Sequence, residues 1–411
     1  MPNCDRLHIL QVCKKFPYPL KDGESIAIHN LSRALVQAGA QVSLLAMNTS
    51  RHPFRGQSIP QALQHYHQVE MVSVDNRIKP WDALKNLFSD KSYHIERFVS
   101  PAFAEKLTQL LEANDFDVVQ LETVYLSPYI PVIRKYSSAC LSLRTHNVEH
   151  EIWERIVRNT RVGPKRWYLD HLTQKLARYE REVVNKYDLV VAISDRDLNT
   201  FSQLGFTGTG GVIPIGLDLE DYQTDLPPFP QEDFSMSFIG SLDWMPNLEG
   251  LQWFLQEVWP MLNEKWPRLR LHVAGRNTPH WLLENKQPGL VVHGEVPNAV
   301  AFIKEHPIMV VPLLSGSGMR AKILEGMALG KVVLTTRLGL EGIAADPNKH
   351  VLVANTPEEF MEHLSFLRKH PKKIADIGWE SRRLVAEQYD SNRLGKQLLR
   401  IYQKVILNAV P

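Results

Sequence analysis

The stretch from Pro312 to Gly330 constrains this chain most. An apolar run, Ile308-Met309-Val310-Val311-Pro312-Leu313-Leu314, meets a small-residue turn, Ser315-Gly316-Ser317-Gly318. A helical pattern follows from Met319 to Leu329, with Ile323, Leu324, Met327 and Ala328 at helical spacing, and Gly330 stops it. A buried strand, a Gly/Ser turn and a helix, in that order, let a ligand approach the backbone. The N–H groups of the helix start favour an anion there. Arg320 and Lys322 add positive charge, and Glu325, a turn further in, is an acceptor able to bind sugar hydroxyls. Anion donors beside one carboxylate suit a nucleotide sugar.

Strand-like and helix-like stretches alternate from end to end, which argues for an α/β chain of parallel sheets with crossover helices. Its 411 residues predict two domains, or three on length alone. In the first half, strands are expected at Leu7 to Cys13, Gln41 to Met47, Val69 to Val74, Asp117 to Glu122, Cys140 to Arg144, Leu189 to Ile193 and within Gly210 to Gly216. A turn at Lys21-Asp22-Gly23-Glu24 separates the first strand from a helix over Ser25 to Gln37. This unit resembles the phosphate-binding start of a Rossmann domain, but only Gly23 of the three-glycine fingerprint is present. Residues 48–100 show little periodicity beyond their strand, with helices expected at Asp82 to Phe88 and, just after, Ala102 to Leu111. They either line a substrate cleft or pack as surface loops. Asp225 to Pro230, with three prolines, is the clearest linker. From Phe234 a second series begins, with strands at Met236 to Ile239, Leu269 to Ala274, Leu290 to Val292, Ile308 to Leu314, Val332 to Thr335 and His350 to Val353. A helix over Asn392 to Asn408 closes the chain.

Charge and cysteine usage narrow the function classes. Net charge is +2, from 47 basic and 45 acidic residues, so nothing points globally to nucleic acid. Cys4, Cys13 and Cys140 form neither a metal-like spacing nor a disulfide framework. The N-terminus does not read as a signal peptide, and no apolar run approaches the ~20 residues that span a bilayer. The expected place is the cytoplasm, with membrane contact only from the side, at an inner face. Such contact points to residues 151–187, a helical stretch with nine Lys/Arg against five Asp/Glu and with Trp153, Trp167 and Tyr168 interleaved. A basic, aromatic helix binds anionic lipid or an anionic acceptor, or is simply a solvated face over core aromatics.

Polar residues just after strands are the site candidates, because open α/β sheets bind ligands at strand carboxyl ends. Thr145-His146-Asn147-Val148-Glu149 follows one strand, and His146 is suited to donate to a sugar hydroxyl or stabilise a reacting centre; the alternative is a histidine satisfied locally. Ser194-Asp195-Arg196-Asp197 reads as a helix N-cap with acids in the first turn, rather than as a metal site. In the second half four turns fall on one sheet edge: Gly240-Ser241-Leu242-Asp243-Trp244-Met245-Pro246-Asn247, Gly275-Arg276-Asn277, Gly294-Glu295-Val296-Pro297, and Ser315 to Gly318.

These turns resemble those of retaining glycosyltransferases of the family-4 type (glycosyl transferases group 1). The matching residues are the Gly240-to-Asn247 turn, Val273-Ala274-Gly275-Arg276, His293-Gly294-Glu295-Val296, Gly316 through Glu325, Ile213-Pro214-Ile215-Gly216-Leu217-Asp218, and Arg144 to Glu149. The resemblance implies the GT-B architecture: two Rossmann-like domains facing a cleft, here 1–215 on the acceptor side and 216–390 for the nucleotide sugar, with 391–411 as a helix crossing back to the first domain. It implies that Glu325 accepts from the donor ribose, that the turn at Val296 sits near the base, that His146 lies beside the donor sugar, and that the Gly23 loop approaches the diphosphate. His146 and Glu325 are thus the expected catalytic pair, and the acceptor a glycan, lipid-linked or small-molecule hydroxyl. No metal or other cofactor is implied.

Two departures stand out. Many relatives carry another Glu eight residues before Glu325; here that residue is Ser317, so the donor-sugar contacts are expected to come partly from backbone N–H groups of Ser317, Gly318 and Met319. Many also use an Arg and a Lys from the first turn of the second domain, where this chain has Ser241, Trp244 and Asn247; Arg276, Arg320 or Lys322 then supplies the charge. Rival readings are an NADP-dependent oxidoreductase, from Gly316-x-Gly318-x-x-Ala321 with Arg337 downstream, a nucleotide-sugar epimerase of similar architecture, and a nucleotide-sugar-binding protein without transfer activity.

Overall fold

A computed structural model describes residues 6–20, 22–56, 58–223, 235–316 and 318–409. The Pro-rich stretch 225–230, Phe234, Cys4, Lys21 and Ser317 lie outside the described residues. The chain forms two compact units, one of residues 1–216 with 391–411 and one of residues 217–390.

Unit 1 holds strands β1 (His8–Cys13), β2 (Gln41–Thr49), β3 (Gln68–Val74), β4 (Val118–Leu121), β5 (Cys140–Arg144), β6 (Leu189–Ala192) and β7 (Thr209–Val212). They form a parallel sheet in the order β3-β2-β1-β4-β5-β6-β7. Its helices are α1 (Gly23–Gln37), α2 (Pro80–Asn86), α3 (Tyr93–Glu96), α4 (Pro101–Ala113), α5 (Ile130–Tyr136), α6 (Glu149–Asn159), α7 (Pro164–Val183) and α8 (Asp195–Gln203). Unit 2 holds β8 (Ser235–Ile239), β9 (Arg270–Ala274), β10 (Leu290–Gly294), β11 (Ile308–Val311), β12 (Val332–Thr335) and β13 (Leu352–Val353), parallel in the order β10-β9-β8-β11-β12-β13. Around them lie α9 (Met245–Trp253), α10 (Trp259–Lys265), α11 (His280–Leu283), α12 (Ala299–Lys304), α13 (Ala321–Ala328), α14 (Pro357–Lys369) and α15 (Lys372–Gln388). The closing helix, α16 (Ser391–Ala409), belongs to unit 1.

The inner strands β4, β5, β6, β11 and β12 are buried along their whole length because both sheet faces are covered, whereas the edge strands β3, β7 and β10 are partly exposed. Successive residues of β1 and β2 point to opposite faces. Leu10, Val12, Leu45 and Met47 join one core with α4 and α5, while Ile9, Cys13, Val42 and Leu44 join the other with α1 and α16. In both sheets the strand order reverses once, between β1 and β4 and between β8 and β11. The chain leaves these neighbouring strands in opposite directions, which opens a crevice at their carboxyl ends.

Three expected elements differ. The 151–187 stretch is two helices, because Pro164 lacks an N–H and clashes with a preceding turn, so it starts α7 after Gly163. The strand from Ile308 stops at Val311, before Pro312. Gly23 and Glu24 lie in the first turn of α1, not in a loop. At Ser194 the side chain accepts from the Asp197 N–H, so the N-cap reading of that segment stands.

Helix α16 crosses α1 at contact distance, since a Cβ on Gly395 would come within 2.7 Å of the Ala34 backbone carbon. Leu394, Leu398, Leu399 and Tyr402 complete that face of the core. Gly395→Val forces the two helices apart, an overpacking cost of about 1–3 kcal/mol. The thermal midpoint of unit 1 should fall by several degrees; an unchanged midpoint would contradict this packing.

Candidate functional site

In unit 2 the turns on the carboxyl edge are bonded to one another. The Gly240 N–H donates to Ala274 O (3.2 Å), the Leu242 N–H to Arg276 O (2.9 Å), and the Gly275 N–H to Gly294 O (2.8 Å). Onto this bonded edge α13 directs Lys322. Its Nζ donates to Asn247 Oδ1 at 2.5 Å and to Ile239 O at 3.3 Å, and lies 5.1 Å from the Phe238 ring centre. Asn247 in turn donates to Ser241 O at 2.8 Å. Glycine at 240 leaves room for this pair, because a Cβ there would lie 2.7 Å from Asn247 Nδ2 and 2.9 Å from Lys322 Nζ and would displace them. Burial, reinforced by the neighbouring Arg320 guanidinium, pushes the Lys322 ammonium down to about 7.

Arg320 occupies the N-cap position of α13 without capping it by side chain, is only 5% exposed, and lies 5.8 Å from the Trp244 ring centre. Its Nη1 donates back to Gly318 O. Gly316 and Gly318 both take positive φ, +103° and +79°. Ser315 Oγ donates to Glu249 Oε2 at 2.6 Å. Glu325, a turn further along α13, accepts from Tyr222 Oη at 3.2 Å, and burial raises its carboxyl above the ordinary value. Ser241 donates to Asp243 at 2.5 Å, so its hydroxyl proton is committed. Val296 is half-buried in the turn after β10, and Met319 is buried beside Arg320. The structure thus brings Ser241, Asn247, Gly318, Arg320 and Lys322 together, with Glu325 on the same helix. Arg276 shares its backbone with that group, and the Asp243 carboxyl is held below its ordinary value first by the Ser241 hydroxyl and, less, by the Arg276 charge.

Unit 1 carries a second polar cluster, where β1, β4 and β5 end. Glu122 is fully buried and accepts from His146 Nε2 (2.9 Å), from Gln11 Nε2 (2.5 Å) and from Gln120 Nε2, with Arg144 Nε 3.8 Å away. Burial alone would raise the Glu122 carboxyl, but His146, Arg144 and Gln11 hold it below its ordinary value. Tyr66 Oη donates to Gln11 Oε1 at 2.7 Å, and Tyr402 of α16 to Gln120 Oε1. A carboxylate on Nε2 fixes the Nε2–H tautomer of neutral His146. Its Nδ1 is then a lone pair, and that atom is buried without a hydrogen-bond partner among the described residues.

Beside it lie Lys14 and Lys15, directly after β1. Lys15 Nζ is 2.6 Å from Asp22 Oδ1 and 3.4 Å from Glu24; Lys14 Nζ is 3.5 Å from Glu24 and 3.9 Å from Glu149. Although burial opposes it, these lysines bring the Glu24 carboxyl down to about 2. Gly23 therefore opens a helix whose N-cap, Asp22, and first-turn Glu24 are carboxylates that already have their own cations. A Cβ on Gly23 would meet nothing within 4 Å, so packing does not demand glycine there. Buried Glu180 of α7 accepts from the Glu149 and His150 N–H groups at 3.1 and 3.0 Å, which caps α6 and fixes the loop bearing His146.

Sequence reasoning missed Glu122, Lys14, Lys15 and Tyr222. The first three obey the strand-end rule that singled out His146. Nothing in the sequence marked Tyr222.

Residues 22–221 match the model described as Glycosyltransferase Family 4, and residues 233–370 match Glycosyl transferases group 1. The chain belongs to this glycosyltransferase family. A relative from Klebsiella pneumoniae, described as an uncharacterized 44.6 kDa protein in the cps region, is 22% identical over 267 residues, spanning 61% of this chain and 66% of its own length. Sucrose-phosphate synthase from Thermosynechococcus elongatus aligns with a TM-score of 0.73 at 14% identity, over 98% of this chain and all of its own. HepE of Anabaena, solved in complex with UDP, aligns at 0.66 and 14% identity, over 97% of this chain and all of that one. The glycosyltransferase therefore has the GT-B fold. The rival oxidoreductase and epimerase readings are not favoured. Thr335 and Thr336, placed where a dinucleotide site needs ribose contacts, donate their hydroxyl protons to Val311 O and Leu313 O instead.

The Glu122 bond gives a spectroscopic expectation. Side-chain nitrogen shifts of the neutral imidazole should show His146 as the Nε2–H tautomer. Glu122→Gln, whose amide can donate to Nε2, should move the population toward Nδ1–H. An identical tautomer in both proteins would contradict the assignment.

Proposed function

We propose that this glycosyltransferase moves a hexose, with retention of configuration, from a nucleoside-diphosphate sugar to a hydroxyl of a glycan or lipid-linked acceptor. The observation that carries the reading is Lys322, seated by Asn247 and Gly240 beside Arg320 at the start of α13. Two cations at a helix start whose N-cap residue, Arg320, does not cap it by side chain form a ready site for a diphosphate. Glu325, held by Tyr222 on the next turn, suits a ribose diol, and the turn at Val296 suits the base. UDP is the first base to try, since HepE has been solved with UDP and with UDP-glucose.

In this reading the diphosphate leaves as negative charge grows on its oxygens, and Lys322, Arg320 and the α13 N–H groups stabilise it. The anomeric carbon becomes oxocarbenium-like, and the acceptor hydroxyl attacks from the face the leaving group vacates. No metal is required, because protein cations neutralise the diphosphate. His146, oriented by Glu122, serves the transfer step through Nδ1, as acceptor from a sugar hydroxyl or, when protonated, as donor.

The direct test is UDP release and product formation from UDP-hexoses with candidate glycan acceptors, with the product's anomeric configuration read by NMR. An inverted product would overturn retention. His146→Ala should lower kcat by about 10²-fold or more while nucleotide affinity stays near wild type; normal turnover with weakened affinity would remove His146 from the transfer step. Glu325→Ala should weaken nucleotide binding by about 10-fold or more, and an unchanged dissociation constant would remove it from the ribose.

Lys322 adds a pH dependence. It holds its proton below about 7 and loses it as pH rises. A diphosphate prefers the charged form, so affinity should fall from pH 7 to 9, with proton uptake on binding. Lys322→Arg, charged throughout, should flatten the profile. Wild-type affinity independent of pH over that range would contradict the phosphate role.

A further inference from the structure

From Arg155 to Leu169 the chain carries Arg155, Arg158, Arg161, Lys165 and Arg166 and no Asp or Glu. In the fold this run is the corner between α6 and α7 of unit 1. Arg158, Arg161 and Lys165 are exposed there. Val162 at the tip is 88% exposed and Trp167, on the first turn of α7, is 64% exposed. The Trp167 ring lies parallel to His171 at 5.8 Å, so one face is supported and the rest is open to solvent. Not all of the charge is unshared, since Arg158 lies 3.6 Å from Glu154 and Arg155 3.9 Å from Glu151. Next to α7 runs α2, joined to it by Lys175 Nζ donating to Asn86 O at 2.6 Å. That segment exposes Ile78, Trp81 and Phe88, at 56%, 76% and 90%.

Exposed aromatic and aliphatic side chains this large are costly on a surface that meets only water. A tryptophan flanked by arginines and lysines matches a lipid interface, where the indole sits at headgroup level and the cations meet acidic lipid. No helix among the described residues is long and apolar enough to cross a membrane, so the contact is peripheral. We infer that the α6–α7 corner, with its acid-free run of cations around exposed Val162 and Trp167, docks unit 1 on an anionic lipid bilayer. This surface needs neither the nucleotide nor the acceptor, so its test stands apart from that of the transfer reaction.

The test is sedimentation of the full chain with vesicles of phosphatidylcholine alone or with about one third phosphatidylglycerol, at low and high salt. Binding should require the anionic lipid and weaken with salt. Arg161→Glu with Lys165→Glu should lower the apparent affinity by about tenfold or more. Trp167→Ala should lower it severalfold and blunt a blue shift of tryptophan fluorescence. These positions are exposed, so nucleotide binding should stay at the wild-type level and report intact folding. No binding to anionic vesicles would overturn the proposal. So would equal binding of wild type and both variants, preference for a soluble polyanion such as heparin over vesicles, or a Trp167-dependent dimer in place of vesicle binding.

Discussion

The reversal of strand order in each parallel sheet is the constraint on which the rest depends. Parallel strands must be joined by crossovers, and where the crossovers diverge the strand ends are left uncovered. In unit 2 this falls between β8 and β11, and the turns that follow them carry Gly240, Asn247, Gly316 and Gly318. In unit 1 it falls between β1 and β4, followed by Lys14, Lys15 and Glu122. The sheet thus dictates where polar side chains can gather without disturbing either core.

The two clusters handle buried charge in opposite ways. In unit 1 the charges are matched: Glu122 meets Arg144 and accepts the His146 hydrogen bond, and Glu24 meets Lys14 and Lys15. Removing one partner there would strand the other, at a cost of about 3–5 kcal/mol, so the cluster is rigid and His146 keeps one orientation. In unit 2 the cations are crowded together. Lys322 lies near Arg320, its carbonyl and amide partners carry no full charge, and its proton is weakly held. Such a site gains from an incoming anion, whereas the unit 1 cluster is already neutralised. That difference is why the diphosphate is assigned to unit 2 and a positioning task to unit 1.

Much of this was legible in the sequence, because most strands are short and rich in apolar residues and the turns after them carry glycine. The alternation, the parallel sheets and the strand-end location of Arg320, Lys322, Glu325 and His146 all follow from local pattern. What escaped depends on pairing across long separations. Gln11 and Glu122 meet only because β1 and β4 are neighbours, and Asn247 meets Lys322 across 75 residues. Asn247 reads as a donor-binding residue in sequence and emerges as the brace of Lys322. The break at Gly163-Pro164 is local and legible in the chain, since Pro164 cannot continue a helix.

Everything proposed for unit 2 turns on the α13 turn binding a nucleoside diphosphate. Calorimetric titration of the full chain with UDP, GDP, ADP and NADP, each with and without chelator, tests it most directly. One nucleoside diphosphate should bind tightly, indifferent to chelator. Binding of NADP alone, or of none of the diphosphates, would contradict it.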